Sequence, residues 1–280
     1  MVTEYEPDLP FEPITLNRLR ESIIRVAGTD FGMHTPLWLS SFTDAHRHAG
    51  QHRSGRVLLA GDAAHIHPPM GAQGMNLGLA DVVNLSWKLA AVVRGQSTEA
   101  LLDTYHQERH PQAARVLANT RAQAALLGPG EEVTAMRGQL ASLLEEHGSN
   151  EQLAAAMSGM DVCYAADGSH PLIGRRMPDG EVITSAGRVP LFGLLRAQRA
   201  VLLDFEGRSD RAAAPSATVD YVAAQTTVRQ WRLPAVAWVD VPRALLVRPD
   251  GYVSWVSSTS SSPGLSDALD ELDGSRSAVM

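Results

Sequence analysis

Residues 61–81, GDAAHIHPPMGAQGMNLGLAD, combine a carboxylate, a glycine-rich turn and the start of a helical pattern. Asp62 follows an apolar run that is predicted to be a strand, and ligands of α/β sheets bind beyond the carboxyl ends of strands. Its carboxylate is therefore a candidate acceptor for ligand hydroxyl groups. Gly71 and Gly74 carry no side chains, so a flat or phosphorylated ligand can approach the main chain there. A helix beginning near Met75 would direct free N–H groups and a positive dipole end at that ligand.

Three other interpretations of this stretch are open from spacing alone. A glycine- and proline-rich segment before a helix is commonly a connecting loop and nothing more. His65 and His67 have the spacing of a pair of metal ligands, but the sequence offers no obvious third ligand. Asp81 falls in the first turns of the predicted helix, where we expect a solvated acid or one that complements the helix dipole.

The elements on the N-terminal side of this stretch are one helix and two strands. The segment ITLNRLRESIIRVAG, which ends at Gly28, has helical spacing of its apolar residues. WLSSF at 38–42 is predicted to be a strand. RVLLA at 56–60 is continuously apolar, which is typical of a strand buried on both faces.

The elements on the C-terminal side are predicted to be helices. The first begins near Asn76 and ends at Gly95, and the second begins near Ser97. Proline lacks the N–H that an interior helical position needs, so Pro111 is expected to break or restart the second helix. The remaining predicted helical segments are 113–127, closed by Gly128-Pro129-Gly130, and 131–158.

After about residue 165 the pattern changes to short apolar runs that are typical of strands. RPDG at 248–251 predicts a tight antiparallel pair, because proline sets φ for a turn and glycine accepts positive φ. LSDALDEL at 265–272 predicts a closing helix. This order indicates the later half of a small α/β sandwich. The predicted strands are 200–205, 219–223, 234–239, 244–247 and 252–256.

The composition excludes several classes of protein. The 280-residue chain has a net charge of -7 and no long basic run, so nothing electrostatic favours nucleic acid. No apolar run approaches the ~18 residues of a membrane span, and the acidic, proline-rich start MVTEYEPDLPFEP is unlike a signal peptide. Cys163 is the single cysteine, which excludes an intrachain disulfide and a cysteine-based zinc site. A reducing, cytoplasmic location is therefore expected.

Longer motifs carry a resemblance to a known family. RVLLAGDAAHIHPPMGAQGMNLGLADVVNLSWKLA resembles the second flavin-binding motif of class A flavoprotein monooxygenases, the group typified by para-hydroxybenzoate hydroxylase. The wider context, GTDFGMHTPLWLSSFTDAHRHAGQHRSGRVLLAGDAAH with LLDTYHQERHPQAARVL, resembles the aromatic polyketide hydroxylases of antibiotic pathways. HPLIGRRMPDG and LLVRPDGYVSW resemble the C-terminal thioredoxin-like domain of those hydroxylases.

This resemblance implies an FAD cofactor, NAD(P)H as reductant, oxygen, and hydroxylation of a small aromatic, polyketide-like substrate. Asp62 would bind the ribityl hydroxyls, and Pro69 would lie near the reactive edge of the isoalloxazine. The amides of Met75 and Asn76 would face the flavin C2 carbonyl, where a helix N-terminus stabilises the negative charge of reduced flavin. The resemblance assigns no catalytic residue and no metal. The implied cofactor-binding residues are Gly61, Asp62, Pro69, Gly71, Ala72, Gln73, Gly74, Met75 and Asn76.

The resemblance also implies the fold, which is α/β. Residues 1–160 are expected to form the C-terminal part of a para-hydroxybenzoate hydroxylase-like FAD-binding domain, and residues 165–280 a thioredoxin-like domain without Cys-x-x-Cys. Family members begin with a strand–GxGxxG–helix unit for the ADP half of FAD, and this sequence contains no GxGxxG. We therefore expect the C-terminal half of a monooxygenase, acting with an N-terminal half or as a homodimer. The alternative is a non-catalytic remnant that acts as a binding or dimerisation module.

Overall fold

The computed structural model describes residues 13–145, 149–164, 170–208, 211, 218–234, 238–259 and 261–272.

The first helix has the ends that its sequence predicts. In α1(Leu16–Ala27) the Thr15 hydroxyl accepts a hydrogen bond from the Arg18 N–H at 3.3 Å. Gly28 ends the helix with a φ of 77°. Glycine has no Cβ to clash in this left-handed conformation, so the predicted stop at Gly28 is confirmed.

Two short antiparallel ribbons precede and enter the glycine-rich stretch. β1(Arg47–His48) pairs with β4(His65–Ile66). β2(Arg53–Ser54) pairs with β3(Val57–Leu58). These ribbons bring the end of the apolar run and the histidines of β1 and β4 next to one another.

Of the two strands predicted on the N-terminal side, the one at 56–60 is confirmed only in part, without the predicted burial on both faces, and the one at 38–42 is wrong. At 56–60 the strand spans Val57–Leu58, and Val57 is 62% exposed. A strand buried on both faces needs neighbours and helices on each side, and among the described strands β3 pairs with β2 alone. Residues 38–42 join no ladder with any described residue, so they are not a strand.

Two long helices form the centre of the first half of the chain. α2(Gly74–Val93) follows the glycine-rich turn and packs against α3(Ala100–Ala125). The prediction of a helix that stops at Gly95 is confirmed, because the chain turns there with a φ of 68°. The helical prediction for 131–158 is also confirmed, as α4(Glu131–Leu144) and α5(Ser149–Ser158).

α3 continues through Pro111, so the predicted break is wrong. Proline removes one backbone N–H, which leaves the carbonyl of Gln107 without its intrahelical donor. Gln107 and Pro111 are both exposed, so water can bond that carbonyl. Tyr105 and Ala113, on either side of the proline, are 0% exposed, and their packing outweighs the missing hydrogen bond.

The second half of the chain is built on a four-stranded sheet. The strands lie in the order β12-β11-β7-β8, with β7 and β8 parallel and β11 antiparallel to both β7 and β12. β5 pairs with β6, and β9 pairs with β10. The predictions at 200–205, 219–223, 244–247 and 252–256 are confirmed, and so is the closing helix. The strand predicted at 234–239 is confirmed only at its end, since residues 235–237 lie outside the described residues. The elements are β5(Glu181–Thr184), β6(Gly187–Pro190), β7(Ala200–Asp204), β8(Val219–Ala223), β9(Gln230–Arg232), β10(Trp238–Asp240), β11(Ala244–Val247), β12(Val253–Ser257) and α6(Leu265–Leu272).

The two faces of this sheet bury separate cores, because successive strand residues point to opposite faces. The first core includes Val201, Leu203, Leu245, Val247, Val253 and Trp231. The second core includes Leu202, Leu246, Trp255, Leu265 and Leu272. Trp87 of α2 and Leu101 of α3 belong to the second core. The sheet therefore packs on the same helix pair that carries the glycine-rich turn. The chain is a mixed α/β protein, as predicted.

Among the described residues, no helix combines the length and the apolar character that crossing a membrane requires.

Candidate functional site

The glycine-rich stretch forms two short 3-10 helices around β4, and then α2 begins. The first, Gly61–Ala63, places Asp62 at the surface. The second, Met70–Ala72, has φ of 66° at Gly71 and 53° at Ala72. Two left-handed residues in succession turn the chain sharply into the first turn of α2.

The turn at Gly61 lies directly against α2. A Cβ added at Gly78 would lie 3.3 Å from the Gly61 Cα, so the two backbones are closer than side chains would allow. The Gly61 N–H also donates to Asp81 Oδ2 of α2 at 3.1 Å. The exposed Asp62 carboxylate is therefore carried on a turn that is fixed to the N-terminal half of α2.

Polar atoms without partners surround the second glycine turn. A Cβ added at Gly71 would lie 2.9 Å from Gln73 Nε2 and 3.3 Å from Gln123 Nε2, and one at Gly74 would lie 3.4 Å from His67 Nε2. Each of these three nitrogens is buried and has no hydrogen-bond partner among the described residues. Buried polar groups normally have hydrogen-bond partners, so three such nitrogens without described partners at one turn indicate a place for a polar ligand.

The start of α2 adds further donors to this place. Gly74, Met75 and Asn76 form the first helical turn, whose N–H groups have no intrahelical acceptors. Met75 and Asn76 are exposed residues at the positive end of the helix dipole. The side-chain amides of Gln73 and Gln123 and the main-chain N–H groups of the first turn of α2 therefore lie at the same turn.

Asp81 is the shared acceptor of a buried hydrogen-bond network behind the site. The expectation that it is solvated is wrong. It is 0% exposed, accepts from His65 Nε2 at 2.6 Å and accepts from Arg109 Nε at 2.8 Å. Burial by itself would raise the pKa of this carboxyl. The hydrogen bond from His65 and the charge and hydrogen bond of Arg109 outweigh burial and hold its pKa below the usual value. Asp81 is therefore an ionised structural acid.

This buried network extends into the second half of the chain. Arg109, itself 1% exposed, donates through Nη1 to the Tyr164 hydroxyl at 3.1 Å. The Tyr164 ring lies 4.3 Å from the Tyr252 ring, between centroids. A chain of contacts thus connects the Gly61 turn to β12 through α2 and α3.

The open interpretation of His65 and His67 as a metal-binding pair finds no third ligand. His65 is directed into the protein at Asp81, while His67 Nδ1 donates to the carbonyl of Pro68 at 2.8 Å. The described residues contain no group of three or more His, Cys, Asp or Glu side chains placed to hold a metal ion.

Five histidines pack together beside the Gly61 turn, and we call them the histidine cluster. The ring centroid of His52 lies 5.2 to 6.1 Å from those of the other four. The rings of His48 and His110 stack with centroids 4.0 Å apart. The members are His48, His52, His65, His106 and His110.

Three members of the histidine cluster, His48, His52 and His106, have lowered pKa values that favour neutral imidazoles. The pKa of His52 is lowered to about 4, chiefly by burial, with Asp81 opposing the shift and His110 adding to it. Burial and the neighbouring His110 also lower the pKa values of His48 and His106. Because the folded-state pKa values lie below the unfolded value of roughly 6.5, the unfolded chain binds more protons in this range.

We predict that the chain loses stability as the pH falls from roughly 6.5 towards 4, since protonation then favours the unfolded state. The melting temperature measured across this range should fall steadily, and His52→Gln should make the fall shallower. The exposed His34 is the matched control, and His34→Gln should leave the slope unchanged. Equal slopes in wild type and His52→Gln would contradict the prediction.

A second polar cluster joins the two halves of the chain, and we call it the Glu108 cluster. Glu108 of α3 accepts from Arg248 Nη1 at 2.5 Å and from Lys88 Nζ at 2.7 Å. Asp250 accepts from Arg248 Nη2 at 2.5 Å and from the Trp87 indole at 3.2 Å. α2 and α3 are thereby joined to the turn between β11 and β12.

The charges of this cluster are strongly coupled. Burial would raise the pKa of Glu108, but Arg248 and Lys88 hold it far below its usual value. Burial lowers the pKa of Lys88 to about 8, against the attraction of Glu108. Glu108 therefore depends on its cationic partners to remain ionised, and Lys88 depends on Glu108.

The prediction of this site named residues between Gly61 and Asn76 and none of the buried residues that support that turn from α2 and α3. Asp81, Arg109 and Gln123 were not assigned any part in it. One signal was present: Asp81, Asn84 and Lys88 recur at helical spacing with Leu77, so a polar stripe follows the buried face of α2.

Two families match this chain. The family described as FAD binding domain matches residues 2–120, and the family described as aromatic-ring hydroxylase, C-terminal, matches residues 170–275. The 12-dehydrotetracycline 5-monooxygenase/anhydrotetracycline 6-monooxygenase of Streptomyces rimosus is 47% identical over 261 residues, which are 92% of this chain and 51% of that protein. Rifampicin monooxygenase of Streptomyces venezuelae is 45% identical over 241 residues, 86% of this chain and 47% of that protein.

Solved structures show the same relationship. The anhydrotetracycline hydroxylase of Streptomyces rimosus superposes with a TM-score of 0.82 at 44% identity, covering 94% of this chain and 54% of that one. An aromatic hydroxylase from angucycline biosynthesis gives a TM-score of 0.84 at 41% identity, covering 95% of this chain and 54% of that one. The chain spans about half the length of the relatives it matches. Over that span it belongs to the FAD-dependent aromatic-ring hydroxylases.

Proposed function

We propose that this chain supplies the flavin-contacting part of an FAD-dependent monooxygenase that hydroxylates an aromatic, polyketide-like substrate. The observation that carries the proposal is the turn at Gly71–Gly74, where three buried side-chain nitrogens without described partners converge with the free amides of α2. The side-chain amides of Gln73 and Gln123 and the amides of α2 would donate to the electron-rich carbonyl edge of an isoalloxazine ring. His67 Nε2 would accept a hydrogen bond there, because the His67 ring donates through Nδ1.

The proposed cofactor contacts follow the elements that carry them. Asp62 would accept hydrogen bonds from the ribityl hydroxyls, since its carboxylate is exposed beside α2. The amides of Met75 and Asn76 would donate to the ring. The full proposed set is Gly61, Asp62, Pro69, Gly71, Ala72, Gln73, Gly74, Met75 and Asn76.

When bound, the flavin would supply the redox chemistry, taking electrons from NAD(P)H and reacting with oxygen. The residues of this chain would hold and orient it. The first turn of α2 would stabilise negative charge at the C2 carbonyl through its dipole and free N–H groups. Asp81 would fix the Gly61 turn, so that Asp62 keeps its place relative to that helix end.

We further propose that residues 1–160 and 165–280 are separate domains and that the second is thioredoxin-like. The sheet order β12-β11-β7-β8, with one parallel pair and α6 on one face, supports this assignment. Cys163 is the single cysteine and precedes the sheet, so an internal dithiol is excluded. The role of this domain would be structural, through its contacts with α2 and α3.

The experiment that tests the function joins this chain to the segment of the Streptomyces rimosus monooxygenase that it does not match. We expect the fusion to retain FAD through gel filtration and to consume NAD(P)H above a free-flavin control. We expect Asp62→Ala to weaken FAD binding by about tenfold or more, because charge-assisted hydrogen bonds contribute roughly 1.5–3 kcal/mol each.

Two controls make this prediction decisive. Glu132→Ala removes an exposed acid in the first turn of α4 and should leave the FAD dissociation constant unchanged. The chain without the added segment should retain FAD well below one per chain. An unchanged dissociation constant for Asp62→Ala would show that this carboxylate does not contact the cofactor.

A further inference from the structure

α2 exposes an uncharged stripe along its length, which we call the α2 stripe. Its residues recur at intervals of four and three, and Met75 and Val93 at the two ends are 76% and 78% exposed. Leu79 and Val82 are each 54% exposed. The α2 stripe consists of Met75, Leu79, Val82, Ser86, Leu89 and Val93.

The opposite face of α2 holds its charged side chains. Asp81 and Lys88 are 0% and 1% exposed and form ion pairs with residues of α3. A surface helix of a globular protein normally has its apolar face inward and its charges outward. α2 has the reverse arrangement, which indicates that the α2 stripe is buried when the functional assembly is complete.

The straight course and the length of the α2 stripe suit a helix as its occupant. Alternation of four and three gives a seam that faces one partner helix, with knobs packing into holes. At a rise of about 1.5 Å per residue, the stripe from Met75 to Val93 is roughly 27 Å long, the length of a five-turn helix. Val83 widens it on one side and is 50% exposed.

We propose that the α2 stripe docks an apolar helix of the polypeptide half that the relatives carry and this chain does not match. The relatives are about twice as long as this chain and share the segment that forms α2. The inference rests on the proposed function, since the partner is the remainder of the same monooxygenase. The docked helix lies along α2 and covers the stripe that begins at the flavin-facing turn.

The test is the fusion described above, with a protease site between the two parts. After cleavage of the apoprotein, without FAD, the two parts should remain together as a 1:1 complex in gel filtration with light scattering. Leu79→Glu combined with Val82→Glu should weaken the complex at least about 30-fold, because each carboxylate would be buried without a partner. Circular dichroism of the variant checks that α2 is still formed, as both positions are exposed in the chain itself.

The matched control lies on α4, where Leu140 and Leu143 are exposed with the same spacing. Leu140→Glu combined with Leu143→Glu should leave the complex intact. Equal weakening by both pairs of changes, or a 1:1 complex that survives Leu79→Glu with Val82→Glu, would overturn the proposal. So would a homodimer of this chain that the α2 changes dissociate, since the stripe would then bind a second copy.

FAD is measured separately, so the two proposals fail in different ways. A stable cleaved complex without bound flavin supports the docking and counts against the flavin site. Parts that separate on cleavage, from an uncleaved fusion that holds FAD through Asp62, count against the docking and leave the flavin site supported.

Discussion

Asp81→Ala should destabilise the folded chain by roughly 3–5 kcal/mol, because it removes one partner of a buried ion pair and leaves the other charged. Arg109 is 1% exposed and would lose its only carboxylate partner among the described residues. His65 and the Gly61 N–H would each lose an acceptor. Urea unfolding followed by circular dichroism measures the change.

Two further variants distinguish the loss of charge from the loss of packing. Asp81→Asn keeps the size of the side chain and should lose less stability than Asp81→Ala. Replacing both partners with apolar residues, Asp81→Leu with Arg109→Met, should recover part of the loss, since no buried charge is then left alone. A loss of less than about 1 kcal/mol for Asp81→Ala would contradict the assignment of Asp81 as the shared acceptor of this buried network.

Glu108→Ala should also cost roughly 3–5 kcal/mol, because it leaves the buried Lys88 without its carboxylate acceptor and leaves Arg248 with Asp250 alone. Lys88 is 1% exposed and Arg248 is bonded to Glu108 through both terminal nitrogens. Urea unfolding should show the loss. The tryptophan emission should move to longer wavelength, since Trp87 lies in this cluster.

The pH dependence of this loss identifies Lys88 as its cause. The folded-state pKa of Lys88 is about 8, below its unfolded value, and removing Glu108 lowers it further. A lysine that is neutral in the folded state adds stability as pH rises towards its unfolded pKa. The difference between wild type and Glu108→Ala should therefore be smaller at about pH 9 than at about pH 6. Glu131→Ala, at an exposed acid of α4, should show neither effect.

Local patterns predicted most of the regular elements. The glycine at position 28, the turn at 248–251 and the helix at 265–272 were all predicted where the structure has them. Their conformations depend on neighbouring residues: a left-handed φ favours glycine, and proline and glycine favour a tight turn. The antiparallel pair β5–β6 and the strand β9 were not predicted, because strands this short show little alternation of apolar and polar residues.

Predictions that depend on distant partners were the ones that failed. RVLLA has the composition of a central strand, yet Val57 is exposed, because β-structure needs neighbours that composition does not reveal. Pro111 is a strong helix breaker by itself, and the packing of Tyr105 and Ala113 overrides it. The absence of further strand neighbours leaves Val57 exposed, and the packing of Tyr105 and Ala113 keeps α3 continuous through Pro111.

Asp62 and Asp81, the two acids of the glycine-rich stretch, show which features follow from local sequence and which require the folded chain. The family, the Gly-Asp turn and the start of α2 follow from local sequence, since a specific motif and local conformation carry them. From the sequence we expected both Asp62 and Asp81 to be accessible, Asp62 to a ligand and Asp81 to solvent. The tertiary structure leaves Asp62 at the surface and buries Asp81 against Arg109, which is 28 residues away. Burial is a property of what packs around a residue, so only the folded chain decides which carboxylate can meet a ligand.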